Sequence, residues 1–352
     1  MARHCELKPR LRHDGSRRVL YVMLRLPRFD YLEPKSLKQA LKMREASGDN
    51  AMYVAGGTDL YPNMKRRHQD PTTVISLANI RALTGVRNRD GQTCIGANTT
   101  LTHVAKHRRI KRHYRAIASA AGSISTPLLR NMGTLGGNLC LDTRCNYYNQ
   151  TLEWRKSIDY CMKKDGAICW VAPSSPRCWA VNSSDLAPVT VAIGAEMALV
   201  SADGERVVPA GEFYNDDGIE YLTKRPDEIL TELRLPQPNG WDATYLKLAR
   251  RGSFDFPVLG VAAWIRWDGD TVADARIVLG AVASYPMPVP EAGAAIIGTS
   301  LGDDAIETAA TAAFKPSKPM DNTDHGLSWR KQMTRVYVAR ALKELRANNK
   351  LI

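Results

Sequence analysis

Two short runs combine paired glycines with hydroxyl or amide side chains: Val54-Ala55-Gly56-Gly57-Thr58-Asp59-Leu60, and Asn131-Met132-Gly133-Thr134-Leu135-Gly136-Gly137-Asn138. Paired glycines let the backbone approach a ligand and expose consecutive N–H groups, a nest for phosphate oxygens. Thr134 and Asn138 add side-chain donors. Neither run reads G-x-G-x-x-G or G-x-x-x-x-G-K-[ST], so the doubly wound dinucleotide fold and the phosphate loop gain no support. Either run alone reads equally as a tight turn. Two of them, each with donors, point to a pyrophosphate site.

Cysteine supplies the second candidate chemistry. The seven cysteines stand at 5, 94, 140, 145, 161, 169 and 178, five of them between 140 and 178. Disulfide frameworks belong to short secreted chains, whereas clustered cysteines in a reducing compartment bind metal or do redox work. Residues 140–180 are rich in Cys, Trp, Tyr, Arg and Lys and poor in Leu, Ile and Val, so they build little apolar core. Thiolate ligation would supply the folding free energy such a lobe lacks. Tyr147, Tyr148, Trp154, Tyr160, Trp170 and Trp179 are placed to shield a cluster, and Arg144, Arg155 and Arg177 to offset its charge. The last four cysteines are separated by 16, 8 and 9 positions, which is not the compact C-x-x-C pairing of zinc ribbons or ferredoxins. Spacing alone leaves an iron–sulfur cluster, structural zinc and free buried thiols open.

The elements around these residues follow from periodicity. Ser36 caps a helical run from Leu37 that Ser47–Asn50 break, and Ala51–Ala55 is a short strand leading into the first glycines. Strands at Val74–Leu77 and Thr93–Ile95 alternate with helices at Leu101–Lys106 and Tyr114–Ala121. After the cysteine-rich stretch, regular patterning returns at Leu186–Val200. A hairpin is expected between Met197–Val200 and Arg206–Val208, turning at Asp203–Gly204. Pro236, Pro238, Asn239 and Gly240 mark a boundary. Beyond it, Trp241–Ala249, Val258–Trp267 and Thr271–Leu279 read as an antiparallel sheet with a turn at Asp268–Gly269, followed by helices at Asp303–Phe314 and Ser328–Leu345.

The 352 residues suffice for two or three domains, and 44% hydrophobic with 24% charged residues describes a globular chain. No run reaches the roughly 18 apolar residues of a membrane span, and no secretory leader is evident, so a cytoplasmic protein off the membrane is expected. The net charge of +13 owes +4 to residues 1–22, where six Lys/Arg face Glu6 and Asp14. The rest is dispersed, without a nucleic-acid-binding motif, and suits steering of an acidic protein partner better than nucleic acid.

The two glycine runs, together with Ser184-Asp185-Leu186-Ala187-Pro188 and Lys247-Leu248-Ala249-Arg250-Arg251-Gly252-Ser253-Phe254-Asp255, resemble the FAD-binding medium subunit of the xanthine oxidase/carbon monoxide dehydrogenase family of molybdenum hydroxylases. Order and approximate spacing agree from about Met23 to the C-terminus. The resemblance implies an α+β fold: a vanillyl-alcohol-oxidase-type FAD-binding domain of two subdomains at 23–240, with a cysteine-rich insert at 140–180, and a C-terminal α+β domain at 241–352. Residues 1–22 would be a basic extension or a mis-assigned start, Met23 being a credible first residue.

By the same resemblance, FAD pyrophosphate lies on Val54, Ala55, Gly56, Gly57, Thr58, Asp59 and Leu60 and on Thr134, Gly136, Gly137 and Asn138. Asp185 takes the ribose or adenine side, and Leu230 and Lys247 lie by the isoalloxazine. On sequence alone, Asp185 reads as well as a helix cap, and Lys247 as a solvated lysine. The family ordinarily has a short connection where 47 positions here separate Asn138 from Asp185. An insert at this place resembles the 4-hydroxybenzoyl-CoA reductase branch, which implies a 4Fe–4S cluster on Cys145, Cys161, Cys169 and Cys178, with Cys140 a bystander near the flavin. Implied partners are a molybdopterin large subunit, a 2Fe–2S small subunit and a ferredoxin-like donor, in a dimer of heterotrimers. No Ser/His/Asp or paired-carboxylate arrangement stands out, as suits a relay.

Overall fold

The computed structural model describes residues 24–349; the expectations for residues 1–22, a start at Met23, and Cys5 lie outside them. The first layer is a parallel sheet ordered Asp30–Leu32, Thr73–Ser76, Ala51–Val54. Helix Leu37–Ser47 covers it, started by Ser36, whose Oγ accepts the Gln39 N–H at 3.2 Å. Parallel neighbours need a crossover, and the one between Val54 and Thr73 opens on Gly56-Gly57 and carries the short helix Leu60–Lys65. The first glycine run therefore leaves the carboxyl end of a parallel strand, where such sheets leave room for ligands.

A five-stranded antiparallel sheet follows, ordered Val86–Arg89, Gln92–Gly96, Ile229–Leu235, Glu196–Ser201, Gly204–Pro209. The helices Arg115–Ser123, Leu135–Leu139 and Leu186–Ile193 contribute to the core beside it, with Ile117, Leu135, Leu139, Leu186, Met197 and Leu233 all buried. The expected hairpin forms, but its turn is Ala202–Asp203, one position early, because Ser201 Oγ accepts the Asp203 N–H at 3.2 Å.

The C-terminal sheet is antiparallel, ordered Met287–Pro288, Thr271–Gly280, Leu259–Asp268, Trp241–Leu248. Its turn is Gly269–Asp270, one position late, with Gly269 at φ 58. Strand alternation explains how this sheet is buried on both faces. Leu259, Val261, Ala263 and Ile265 pack under helices Asp303–Phe314 and Leu327–Asn349, while Ala262 and Trp264 join the core of the preceding domain. The same alternation on Trp241–Leu248 sends Leu246 and Leu248 to the helices and Tyr245 to the other face. Fully buried Arg330 ties the helical layer to the sheet, donating to the carbonyls of Val258, Met320 and Ala281.

Residues 140–180 behave as their composition requires. They contain one helix, Leu152–Ser157, and otherwise turns and isolated bridges. Their apolar cluster is small: Cys145, Tyr148, Cys161, Cys178 and Ala180, with Tyr147, Met162 and Val171 packed against it.

Candidate functional site

A cavity of ≈ 410 Å³ opens between the two glycine runs, within the size range of cofactor sites. Val54, Ala55, Gly56, Gly57, Thr58, Asp59 and Leu60 form one wall; Gly133, Thr134, Gly137 and Asn138 form the facing one. The runs are in contact. A Cβ on Gly56 would fall on the Met132 carbonyl, so residue 56 is glycine for reasons of space.

The two walls differ in what they offer. Among the described residues, the N–H groups of Gly56, Gly57, Thr58 and Asp59 donate to no protein acceptor. Consecutive unpaired N–H groups of this kind are able to cradle an anion. The second run departs from the sequence expectation, because its backbone is already paired. Leu135, Gly136 and Asn138 N–H donate to the carbonyls of Thr99, Ala97 and Thr134, and Gly137 N–H to Thr134 Oγ1. Gly136 does not line the cavity; a Cβ there would lie 2.7 Å from that of Ala97, so it serves packing. The second wall contributes close approach and the side chain of Asn138. Asn138 Oδ1 accepts from Ser184 Oγ (2.8 Å) and Leu186 N–H (3.2 Å), leaving its NH₂ without a protein acceptor.

Asp185 lines the cavity at the start of helix Leu186–Ile193 but does not cap it. It accepts from Tyr245 Oη at 2.7 Å and Lys247 Nζ at 3.0 Å. Burial pushes its carboxyl above the ordinary range, further than Lys247 and Tyr245 draw it down. Lys247 is partly buried beside it and also donates to the carbonyls of Ser123 and Asp255, so neither the solvated-lysine nor the helix-cap reading describes this pair. Lys247 and Leu230 are not in the cavity lining; Leu230 belongs to the core of the five-stranded sheet.

Asp142, Tyr221 and Phe256, which sequence reasoning did not single out, complete the walls together with Arg144, expected only as a charge offset for the cysteines, and Phe254 of the Lys247–Asp255 motif. Arg144 pairs with Asp59 of the first run and stacks over the Phe256 ring, 4.6 Å from its centre. Asp255 accepts from the Arg251 N–H and guanidinium, and the Arg251 hydrogen bond holds its carboxyl below the ordinary range. Asp142 and Phe256 were signalled only by proximity to the cysteines and to the Lys247–Asp255 motif, and Tyr221 had no sequence signal.

The cysteine-rich segment abuts this cavity. Cys140 lines it, its thiol pushed up to about 11 by burial. Cys145, Cys161, Cys169 and Cys178 are all buried and free of disulfides. Cys145, Cys161 and Cys178 share one buried cluster, and Cys169 is within electrostatic reach of Cys178. Burial pushes the Cys145 and Cys178 thiols up to about 12 and about 11. Among the described residues, no three His, Cys, Asp or Glu side chains gather closely enough for a metal ion. Of the expected aromatic shield, Tyr148 is buried, whereas Trp154 and Trp170 are exposed. Fully buried Arg155 donates to the carbonyls of Arg66 and Arg67, and its Nε and Nη1 have no partner; Cys161 is within its electrostatic reach. The expected 4Fe–4S ligand set on Cys145, Cys161, Cys169 and Cys178 is not gathered as a metal site among the described residues.

Residues 27–238 match the family described as FAD binding domain in molybdopterin dehydrogenase, and residues 244–345 the CO dehydrogenase flavoprotein C-terminal domain. The carbon monoxide dehydrogenase medium chain of Afipia carboxidovorans is 27% identical, over 92% of this chain and 98% of its own length. The aldehyde oxidoreductase FAD-binding subunit of Escherichia coli is 31% identical over 76% of this chain and 85% of its own. Among solved structures, carbon monoxide dehydrogenase from Hydrogenophaga pseudoflava superposes with a TM-score of 0.75 at 27% identity, covering 90% of this chain and 97% of that one. No helix among the described residues is long and apolar enough to cross a membrane.

Proposed function

This chain belongs to the FAD-binding medium subunits of the xanthine oxidase/carbon monoxide dehydrogenase family, and we propose that it is the electron-relay subunit of a 4-hydroxybenzoyl-CoA reductase. One observation carries the finer reading: the four cysteines Cys145, Cys161, Cys169 and Cys178 are buried in a lobe that begins at the wall of the FAD cavity. When bound, a 4Fe–4S cluster and FAD supply single- and two-electron redox chemistry.

The chain's own residues bind and insulate. The free N–H groups from Gly56 to Asp59 would hold the pyrophosphate, with the Asn138 amide facing them. Asp185, fixed by Tyr245 and Lys247, would take the ribose side. Burial disfavours ionisation of the Cys145 and Cys178 thiols; a bound iron would stabilise their thiolates, and Arg155 would offset part of the remaining charge. No acid–base pair of this chain is asked to act on substrate.

In this reading a reduced ferredoxin-like protein would be the source of the electrons that reach the FAD site. They pass on to 2Fe–2S and molybdopterin partner subunits. There, two electrons and two protons convert 4-hydroxybenzoyl-CoA to benzoyl-CoA and water, in anaerobic aromatic degradation. The domain reading stands with it: a FAD-binding domain at 23–240 carrying the iron–sulfur lobe at 140–180, and a flavoprotein C-terminal domain at 241–352.

Anaerobic purification with iron, sulfide and zinc analysis tests the cluster. About four iron per chain without zinc is expected, and Cys161→Ser should lose it; stoichiometric zinc without iron removes the reading. The relatives favour a second one, since several are named dehydrogenases of carbon monoxide, glyceraldehyde and xanthine. It is a medium subunit of another molybdenum hydroxylase, sending electrons outward. Reduced viologen with 4-hydroxybenzoyl-CoA decides between them, and no benzoyl-CoA favours the second.

A further inference from the structure

The positive charge beyond residue 22 reads as dispersed along the sequence, but the fold gathers part of it on one face. No Asp or Glu stands between Asp90 and Asp142. Within that stretch two short helices, Leu101–Lys106 and Arg108–His113, follow one another with only His107 between them. Their apolar residues turn inward: Leu101, Val104 and Ile110 are buried, as is Tyr114 just beyond. Six Lys/Arg fall between 106 and 115. Two of them are engaged within the protein, Arg109 Nε donating to Thr93 Oγ1 at 2.7 Å and Arg115 pairing with Asp242 at 2.8 Å. The other four, Lys106, Arg108, Lys111 and Arg112, are exposed and together line a shallow concavity of ≈ 400 Å³. None of these four side chains has a hydrogen-bond acceptor or a carboxylate partner among the described residues.

Helix stability does not account for this arrangement. A cation in a last turn suits the negative end of the helix dipole, and that covers Lys106, Lys111 and Arg112. Arg108 instead opens its helix, where the dipole disfavours positive charge. It also stands three and four positions before Lys111 and Arg112, so like charges neighbour one another along the helix and destabilise it. An opposite charge from outside relieves that repulsion. A small anion is poorly served here, because every one of the four cations is exposed and none is held in place by a neighbour. No aromatic side chain lines the concavity to stack a base, as single-stranded nucleic-acid sites require. A broad acidic protein surface meets the charge pattern.

We propose that Lys106, Arg108, Lys111 and Arg112 form the docking face for the acidic surface of a small electron-transfer protein that supplies the FAD site. Leu101, the first residue of the helix that ends in Lys106, lines the FAD cavity. At 1.5 Å per residue that helix sets the basic face about 8 Å from the cavity wall, so a protein seated there is brought up beside the cofactor. Two encounters with a one-electron carrier, each oxidising one reduced carrier, together with one proton from solvent, take bound flavin to its anionic dihydro form. The inference rests on the electron-relay reading above and names the surface where the donor lands. It is independent of the cysteine lobe and of the substrate handled by the partner subunits.

The test uses the assembled complex, with an acidic ferredoxin as the probe and flavin bleaching followed by stopped flow. The rate with reduced ferredoxin should fall as salt rises, because exposed charges are screened. The variant Lys106→Gln/Arg108→Gln/Lys111→Gln/Arg112→Gln should slow the second-order rate about 10-fold or more at low ionic strength and flatten its salt dependence. Affinity for oxidised ferredoxin, read by calorimetry without turnover, should weaken in parallel. FAD content and reduction by dithionite, which needs no docking, should stay at wild-type values. Should that variant fail to fold, Lys111→Gln/Arg112→Gln gives the answer through a smaller change in the same direction. A wild-type rate and salt slope in the variants overturn the docking face. So does binding of labelled DNA that the variant loses with no change in its ferredoxin rate, which would assign the face to nucleic acid. A wild-type flavin that dithionite reduces but reduced ferredoxin does not, at any salt concentration, overturns the protein-donor reading and the docking with it. Ferredoxin reduction that is equal in wild type and variant overturns only this surface.

Discussion

Gly56→Ala is the sharpest test of the cavity, because the two glycine runs meet there backbone to backbone. The added Cβ would fall on the Met132 carbonyl, with the Met132 carbonyl carbon and Gly133 Cα behind it. No side chain can swing away, so the runs must part or their backbones must bend. Overpacking of this kind costs about 1–3 kcal/mol, and the rigid backbone on both sides puts this site at the upper end. Spent on spreading the walls, that cost weakens FAD binding by about 5- to 150-fold, since about 1.4 kcal/mol is a factor of ten. Gly122→Ala, in helix Arg115–Ser123 and outside the cavity lining, is the control. Its Cβ would meet only Ala105 Cβ, at 3.8 Å, and should change affinity little. FAD titration of the deflavo protein by fluorescence quenching, with a melting curve for each variant, reads both effects. Wild-type affinity and melting temperature in Gly56→Ala would refute the argument that contact between the runs shapes the site.

Three further outcomes are expected. His68 is buried, stacks on Tyr148 and donates from Nε2 to the Gln150 carbonyl at 3.1 Å; burial, then Arg155, lowers it from 6.5 to about 4. The unfolded chain therefore takes up the proton first as pH falls, and up to about 3 kcal/mol of stability is lost between pH 6.5 and 4, at about 1.4 kcal/mol per unit. His68→Phe should flatten melting temperature against pH over that window, and equal slopes would contradict the assignment. Asp185→Asn leaves Lys247 buried without its counter-charge and should destabilise by about 3–5 kcal/mol in urea titrations; a loss under about 1 kcal/mol would show the pair to be solvated. Arg330→Met strands the carbonyls of Val258, Met320 and Ala281 at about 1–3 kcal/mol each. It should lower the melting temperature while leaving FAD affinity unchanged, and normal stability would refute the accounting of those carbonyls.

Much of the architecture is local in origin and was legible. Ser36 caps its helix, the strand before Gly56 ends where the glycines begin, and the C-terminal antiparallel strands pair as their patterning requires. Both hairpin turns slipped by one position, because a serine hydroxyl or a single positive-φ glycine sets a turn more finely than composition does. The lobe at 140–180 was legible by what it lacks. Few aliphatic residues meant little core, and Tyr148 and Ala180 are the buried residues that join three of its cysteines in one small cluster.

What the sequence determined by itself is which backbone segments can approach a pyrophosphate and where thiols are dense, since both follow from residue type and short spacing. Tertiary structure alone decided which donors are free. The first run keeps its N–H groups open, whereas the second spends its own on Ala97, Thr99 and Thr134. It also decided that Lys247 reaches Asp185 rather than solvent, because strand alternation on Trp241–Leu248 and helix placement at Leu186 bring together residues 62 positions apart. It brought Gly218 onto Cys178 and Tyr221 onto the cavity. Hydrogen-bond partners and close approaches between distant segments are properties of packing, and a linear pattern carries no record of them.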